Sequence, residues 1–269
     1  MSYLVIPQIR VQAANMLSAS FLIGGPPVLT SFFFAHALAR KIDRNTSVTG
    51  VAFIHHQMTP LGQVVYGRFH PQQRRAASFT FGSKTRDYVK QSLALSLQPV
   101  ANAHMLLSLV IEIDNPLPDD EIKKYLYNGR FSGGQIIGHG NPTIHDELDD
   151  VIDQIPSGYL VMDRKDLLEP GDGKNQAELM IEHLGRVPSA AAGNTWLSAA
   201  CLGYASTTPF EKRTGAREGY SHAFVEPLVG LVQYQSVRNF KTSDANLEQI
   251  VWRPQWDTKN NVYHISQTR

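Results

Sequence analysis

Tyr3-Leu4-Val5-Ile6-Pro7-Gln8-Ile9-Arg10-Val11-Gln12 decides the first element of this chain, and Gly24-Gly25-Pro26-Pro27 followed by Val28–Ile42 decides the second. The first stretch starts apolar and then alternates, with Ile9 and Val11 to one side and Gln8, Arg10 and Gln12 to the other. That is the period-two pattern of a half-buried strand. The Gly-Gly-Pro-Pro run stops extended chain and presets a helix, because the fixed φ and missing N–H of proline suit a helix start. Beyond it Val28, Phe32, Ala35, Ala39 and Ile42 recur at helical spacing, with Leu29, Phe33 and Ala37 beside them. Arg40 and Lys41 stand in the last turn, where cations complement the helix dipole. Val48 to Phe53 returns as a strand, so the opening is β-α-β.

Composition bounds the rest. With 269 residues, 42% apolar and 18% charged, the chain is globular rather than disordered and long enough to bury a real core. Net charge is +1, so partners are argued from charge distribution and not from the sum. Arg68, Arg74, Arg75, Lys84, Arg86 and Lys90 face the single acid Asp87 in one segment. Asp119, Asp120, Glu121, Asp146, Glu147, Asp149 and Asp150 reverse the balance in another, which implies one cationic and one anionic face. Cys201 is the only cysteine, which excludes an intramolecular disulfide and a cysteine-built zinc site and fits a reducing compartment. Met1-Ser2 leads straight into the first strand without a signal-peptide pattern, and no apolar run approaches the ~20 residues that span a bilayer. The expectation is a soluble, cytoplasmic protein with no membrane partner.

Further along, Gln63–Phe69 and Ala77–Phe81 flank the polar, basic tip His70-Pro71-Gln72-Gln73-Arg74-Arg75, which reads as a projecting hairpin. Such a hairpin is either an ordinary solvated one or a grip on single-stranded nucleic acid through ion pairs and stacking. Ser92 to Leu97 alternates, Met105 to Ile113 reads as a buried strand, and Asp119 to Tyr127 as a helix ended by Asn128-Gly129. Arg130-Phe131-Ser132-Gly133-Gly134-Gln135 is a glycine-rich turn that matches neither a P-loop nor a dinucleotide fingerprint. Asn141 to Asp153 reads as a solvated loop or edge. Gly158 to Met162 is a strand, with a short helix after it, a flexible Gly171–Lys174 connection, helical Gln176–Leu184 and a loop at Pro188–Gly193. Strands are expected at Thr195–Tyr204 and Ala223–Tyr234, separated by a charged loop at Glu211–Gly219, and a closing hairpin from Ile250–Pro254 and Asn261–Ile265.

His36, His55 and His56 are the candidates for metal or acid–base chemistry. Adjacent histidines on an unbent strand point to opposite faces, and no metal-ligand spacing surrounds them. Cleavage of RNA by one of them is the more serious option. Cys201 reads as a small buried residue, and the phenylalanines of the first helix as core.

The β-α-β opening resembles the first half of a ferredoxin-like or RRM-type domain. Leu4-Val5-Ile6-Pro7-Gln8-Ile9-Arg10-Val11-Gln12-Ala13-Ala14-Asn15, the Gly-Pro-Pro hinge and Phe33-Phe34-Ala35-His36-Ala37-Leu38-Ala39-Arg40 together resemble the Csy-two subunit of type I-F CRISPR surveillance complexes. That family belongs to the Cas-five type of RAMP proteins. Arg130–Ile136, Pro156–Val161 and Phe224–Leu231 continue the resemblance in order, while Ala13 stands where the family often has asparagine. The resemblance implies a non-catalytic subunit that needs no cofactor and holds the 5′ handle of CRISPR RNA. Its partners would be a large Cas-eight-type subunit and a Cas-seven-type backbone subunit, with target DNA as a further contact. A hairpin thumb at about 62–86 would kink the RNA. Base-edge candidates are Gln12 and Asn15. Cationic candidates are Arg10, Arg68, Arg74, Arg75, Lys84, Arg86, Arg130, Arg213 and Arg217, and the turn contributes Ser132, Gly133, Gly134 and Gln135. The expected fold class is α+β: a ferredoxin-like, RRM-like RAMP core in residues 1–170 with the inserted thumb, then a β-rich extension over 171–269. The rival readings are a RAMP-type endoribonuclease that processes CRISPR RNA and a Cas-seven-type backbone subunit.

Overall fold

Alternation in the first strand becomes one long ladder member. The computed structural model describes residues 1–19, 21–72, 74–75, 97–98, 101–155, 157–169, 173–185, 196–216, 219–241 and 246–267. In it β1 spans Ser2–Asn15, short strands β2 (Leu17–Ala19) and β3 (Leu22–Ile23) form a small ribbon, and α1 spans Val28–Ile42. The hinge works as the sequence suggests: Gly24 and Gly25 have φ of 96° and 78°, and Pro27 caps the helix. Strand β4 then runs from Val48 to Val65 and β8 from Asn102 to Ile113; helix α2 (Asp119–Tyr127) leads to β9 (Arg130–Phe131) and β10 (Gly134–Gly138). The order β1-α1-β4-β8-α2-β10 gives an antiparallel sheet in which β4, β8, β1 and β10 lie side by side. The protein is α+β with strands dominant.

One face of this sheet is closed by α1 and α2. Leu4, Ile6, Ile9 and Val11 of β1 and Leu107, Leu109 and Ile111 of β8 are at most 2% exposed and pack with Phe32, Phe34, Ala35 and Leu38 of α1. Each of these side chains except Ala35 contributes roughly 1.5–3 kcal/mol through burial. Phe34, not Phe33, fills the core, while Phe33 is 43% exposed and stacks on Tyr263. The opposite face is covered over half its length only. There Tyr3, Val5, Ala52, Ile54 and Val110 pack with Leu148 and Val151 from α3 (Leu148–Gln154), with Ile155 just after it, and with Val237 and Phe240 from α5 (Val237–Lys241).

The later strands fold back onto β4. Strand β12 (Tyr159–Asp163) pairs with β14 (Val225–Ser236), which pairs with β13 (Leu197–Ser206), then β16 (Val262–Gln267) and β15 (Trp252–Asp257). Both ends of this series meet the free edge of β4, β15 at Val51 and β12 at Ile54–His55. The strands therefore close a ring. Side chains seal its seam: Trp252 Nε1 donates to the Val161 carbonyl at 2.9 Å, and Gln267 Nε2 donates to the carbonyls of Val161 and Ile250 at 3.1 and 2.9 Å. The sheet is continuous across residue 170, since β12 before it pairs with β14 after it.

Some expectations need correction. The stretch 141–153 is not merely a solvated loop or edge. It contains β11 (Thr143–His145), paired with β1, and α3. The hairpin turns at Tyr66-Gly67, not at His70–Arg75: β4 pairs with β5 (Arg68–Pro71), and Val65 faces Arg68. Tyr66 and Gly67 both have positive φ, 50° and 75°, the two-residue turn that matches strand twist. Arg74 and Arg75 form β6, paired with β7 (Leu97–Gln98), so they are not at the tip. The expected second arm at 77–81 and the loop at 188–193 lie outside the described residues. Leu197–Ser206, Val225–Ser236 and the β15–β16 hairpin match the expected strands within a few positions, and α4 (Gln176–Gly185) matches the expected helix.

Candidate nucleic-acid interface

Because side chains alternate along strands, the ladder register tells which residues share the uncovered face. Arg10 lies between Leu106 of β8 and Gly138 of β10, Gln12 faces Gln135, and Gln135 faces Arg130 of β9. On β8 the same face carries His104, Leu106 and Ser108, and on β4 it carries Gln57 and Thr59 through the pairs Gln57–Leu106 and Thr59–His104. Arg10, Gln12, Arg130, Gln135, His104, Gln57 and Thr59 are exposed. Ile137, 62% exposed, lies on the same face of β10. No carboxylate occurs among these positions. Adjacent strands are about 4.8 Å apart, so the Arg130–Gln135–Gln12 row spans about 10 Å. The result is a strip of amides and imidazole with a guanidinium on two sides, able to meet phosphates and base edges together.

Two irregularities shape this strip. Gln8 and Ala13 have φ of 50° and 55°, and the β1–β8 register shifts at both. Each displaced peptide finds a side-chain acceptor on β8: Gln8 N–H donates to Ser108 Oγ at 2.9 Å, and Ala13 N–H donates to His104 Nδ1 at 3.3 Å. Bulges of this kind bend a strand and re-aim its side chains.

The glycine-rich turn is built for docking onto β1. Ser132 and Gly133 have φ of 47° and 75°. Ser132 Oγ donates to the Asn15 carbonyl at 3.0 Å, and Asn15 N–H donates to the Ser132 carbonyl at 2.7 Å. A Cβ on Gly134 would stand 2.6 Å from both the Ala14 nitrogen and the Gln12 oxygen, so only glycine permits this approach. The Asn15 amide is engaged locally, accepting from Leu17 N–H at 2.9 Å and donating to its carbonyl at 3.2 Å. It braces the strand end.

The family model for CRISPR-associated protein (Cas_Csy2) matches residues 4–184, about two thirds of the chain. The chain belongs to this family. It is thus a CRISPR-associated subunit of the Cascade type, which assembles with other Cas components. No curated protein matches the chain. The family match takes in Arg10, Gln12, Arg130 and Gln135 and the whole uncovered strip, whereas β13 to β16 lie beyond it.

The remaining candidates scatter. Arg68 sits on the exposed β4–β5 hairpin beside Val64, Tyr66 and Phe69, which are 71%, 101% and 44% exposed. Arg213 is engaged within its own loop: it pairs with Glu211 at 2.8 Å and lies 4.8 Å over the Phe224 ring. Lys84, Arg86 and Arg217 lie outside the described residues. A cationic group, of which Arg40 and Lys41 were assigned only to the helix dipole, lies on the far side of the sheet. There Arg40, Lys41 and Arg44 line a 750 Å³ cleft with Tyr125 and Tyr220.

The histidines do not converge. His36 is exposed on α1 and packs on Phe32; burial, then Arg40, lower its pKa. His55 points to the helix side, against Phe53 and Tyr234, and burial, with His56 second, pushes it down to about 4. His56 points the other way. Its Nε2 meets Ser108 Oγ at 2.7 Å and its ring bonds the Ser157 backbone; burial lowers it despite that bond. Among the described residues no group of His, Cys, Asp or Glu could hold a metal ion. Among those residues, too, no helix is long and apolar enough to cross a membrane.

Proposed function

We propose that the chain is a non-catalytic subunit of a type I-F CRISPR surveillance complex, and that it holds the single-stranded 5′ handle of CRISPR RNA on the uncovered sheet face. The observation that carries this reading is the convergence of Arg10, Gln12, Arg130 and Gln135 on the open part of one sheet face, at positions that include no carboxylate. The strand order β4-β8-β1-β10 joined as β-α-β-β-α-β supports a ferredoxin-like core of the RAMP kind, whose uncovered sheet suits unstacked single strands. The β4–β5 hairpin, with its exposed apolar residues, supports a thumb that meets a Cas-seven-type neighbour. The large Cas-eight-type subunit and target DNA complete the expected contacts. His55 held neutral and His56 tied to Ser108 support a holder rather than a nuclease.

The test is incubation of the purified chain with single-stranded CRISPR repeat RNA. Retention of intact RNA on a filter, equal in His36→Ala and wild type, is the expected result. Cleavage abolished by His36→Ala would transfer the protein to the endoribonuclease reading. Native mass spectrometry of the assembled complex should count one copy, and several copies would favour a backbone subunit.

A further inference from the structure

Away from the strip, where β12 and β14 run side by side, Tyr159 and Trp196 form a surface pair. Their ring centroids are 6.2 Å apart and their planes 29° apart, and the rings are 39% and 65% exposed. A cleft of 370 Å³ opens beside them, edged by Gln233, Gln235, Ser236 and Asn239. Its size falls in the range of small-ligand sites, and among the described residues its rim is amide and hydroxyl without a charged group.

Three features argue that this pair is held in place rather than left over. Trp196 has φ 64°, a conformation costly for a bulky L residue and concentrated at ligand-contacting positions. Its carbonyl accepts from Tyr234 N–H at 3.0 Å, which fixes the base of the side chain. Gln233 is oriented in turn, because Arg164 Nη1 donates to its Oε1 while Arg164 Nε donates to Asp166 at 3.1 Å. Two exposed, near-parallel aromatic rings do no core packing. Trp196 and β14 also lie outside the family match.

We propose that this cleft captures one unpaired nucleobase splayed out of single-stranded RNA. The base stacks on the Trp196–Tyr159 surface, while the neighbouring amides meet its hydrogen-bonding edge. A neutral, amide-rimmed aromatic site fits a planar base whose phosphates remain outside in solvent. The inference rests on the reading of the chain as an RNA holder, and adds a base-stacking site distinct from the Arg10–Gln12–Arg130 strip.

Tryptophan emission tests it in the full chain. Trp252 is fully buried and Trp256 is 50% exposed, so a Trp256→Phe background leaves Trp196 as the solvent-facing reporter. Single-stranded RNA decamers of uridine, adenosine or cytidine should quench that emission, and decamers of abasic sites should not. Adding Trp196→Ala should remove the quenching and weaken binding by about 5- to 150-fold, the usual range for losing one stacking partner. Trp196→Phe should retain most of the affinity, which separates stacking from a folding defect. Filter binding runs in parallel. If RNA binds but Trp196→Ala changes neither affinity nor emission response, the cleft has no such role and the holder reading survives. If no RNA binds at all, both fall.

Discussion

If the uncovered strip holds RNA, its cations should report themselves in the salt dependence of binding. Arg10 and Arg130 flank the Gln12–Gln135 row from different strands, and both are exposed. Neither makes an ion pair among the described contacts that would have to break first. For single strands each phosphate contact contributes a slope of roughly −0.7 in log K against log salt. Arg10→Ala with Arg130→Ala should therefore flatten the slope by about 1.4. Taking 1 M salt as the point where the ionic contribution vanishes, the double variant should bind about 25-fold more weakly at 0.1 M and about 5-fold more weakly at 0.3 M. The assay is filter binding of single-stranded repeat RNA across that salt range. Arg40→Ala with Arg44→Ala is the matched control, because both line the cleft on the α1 side of the sheet. Gln12→Ala should leave the slope alone and lose discrimination between RNA sequences, as a neutral base-edge contact does. An unchanged slope in the Arg10/Arg130 variant, or an equal slope change in the α1-side control, would refute the placement of RNA on this face.

Other consequences concern the frame. Arg253 Nη2 donates to both oxygens of Glu112, at 3.1 and 2.9 Å, and to Glu248 at 2.6 Å, and the Glu112 side chain is only 4% exposed. Arg253→Leu strands that carboxylate and should cost about 3 kcal/mol in urea unfolding, the low end for a broken buried pair because Arg253 is itself 25% exposed. The folded His55 ring titrates at about 4 against 6.5 when unfolded, so the unfolded state binds more protons between those values and stability falls as pH drops through that window. His55→Phe should remove up to about 1.4 kcal/mol per pH unit from that fall, and parallel unfolding curves for variant and wild type would count against it. Gly134→Ala drives a Cβ onto the β1 backbone and should cost about 1–3 kcal/mol, with faster amide exchange at Val11 and Ile136.

The first helix was legible to the residue, because its apolar spacing, its proline start and its basic end all agree. Strand β4 was legible at its far end from Gln63 and, at its start, only to Phe53. Beyond it His55, Gln57 and Thr59 break the apolar pattern, and the strand continues because β8 pairs with it out to Leu61. Partnership across dozens of residues, not local preference, keeps it extended. The hairpin turn was misplaced for a related reason: Tyr66 in a left-handed conformation is not the Asn or Asp that such turns usually carry. Helix α3 did leave a signal. Leu148, Val151 and Ile155 recur at helical spacing within an acidic stretch, and composition drew attention to the acids instead.

The site was legible as residue types but not as a place. Alternation alone put Arg10 and Gln12 on the polar side of β1, and that survived. What made the strip open to solvent is the length of its cover: α3 and α5 reach only the Tyr3–Val5 half of the face, so the other half stays bare. Arg130 and Gln135 joined it because Gly134 lets β10 press against β1 and brings its exposed side chains level with Gln12. Asn15, of the same chemical class as Gln12, is drawn off into the Leu17 turn by a hydrogen bond two residues away. Sequence supplies the inventory of donors, and strand register together with the reach of two short helices decides which of them stand together on the open face.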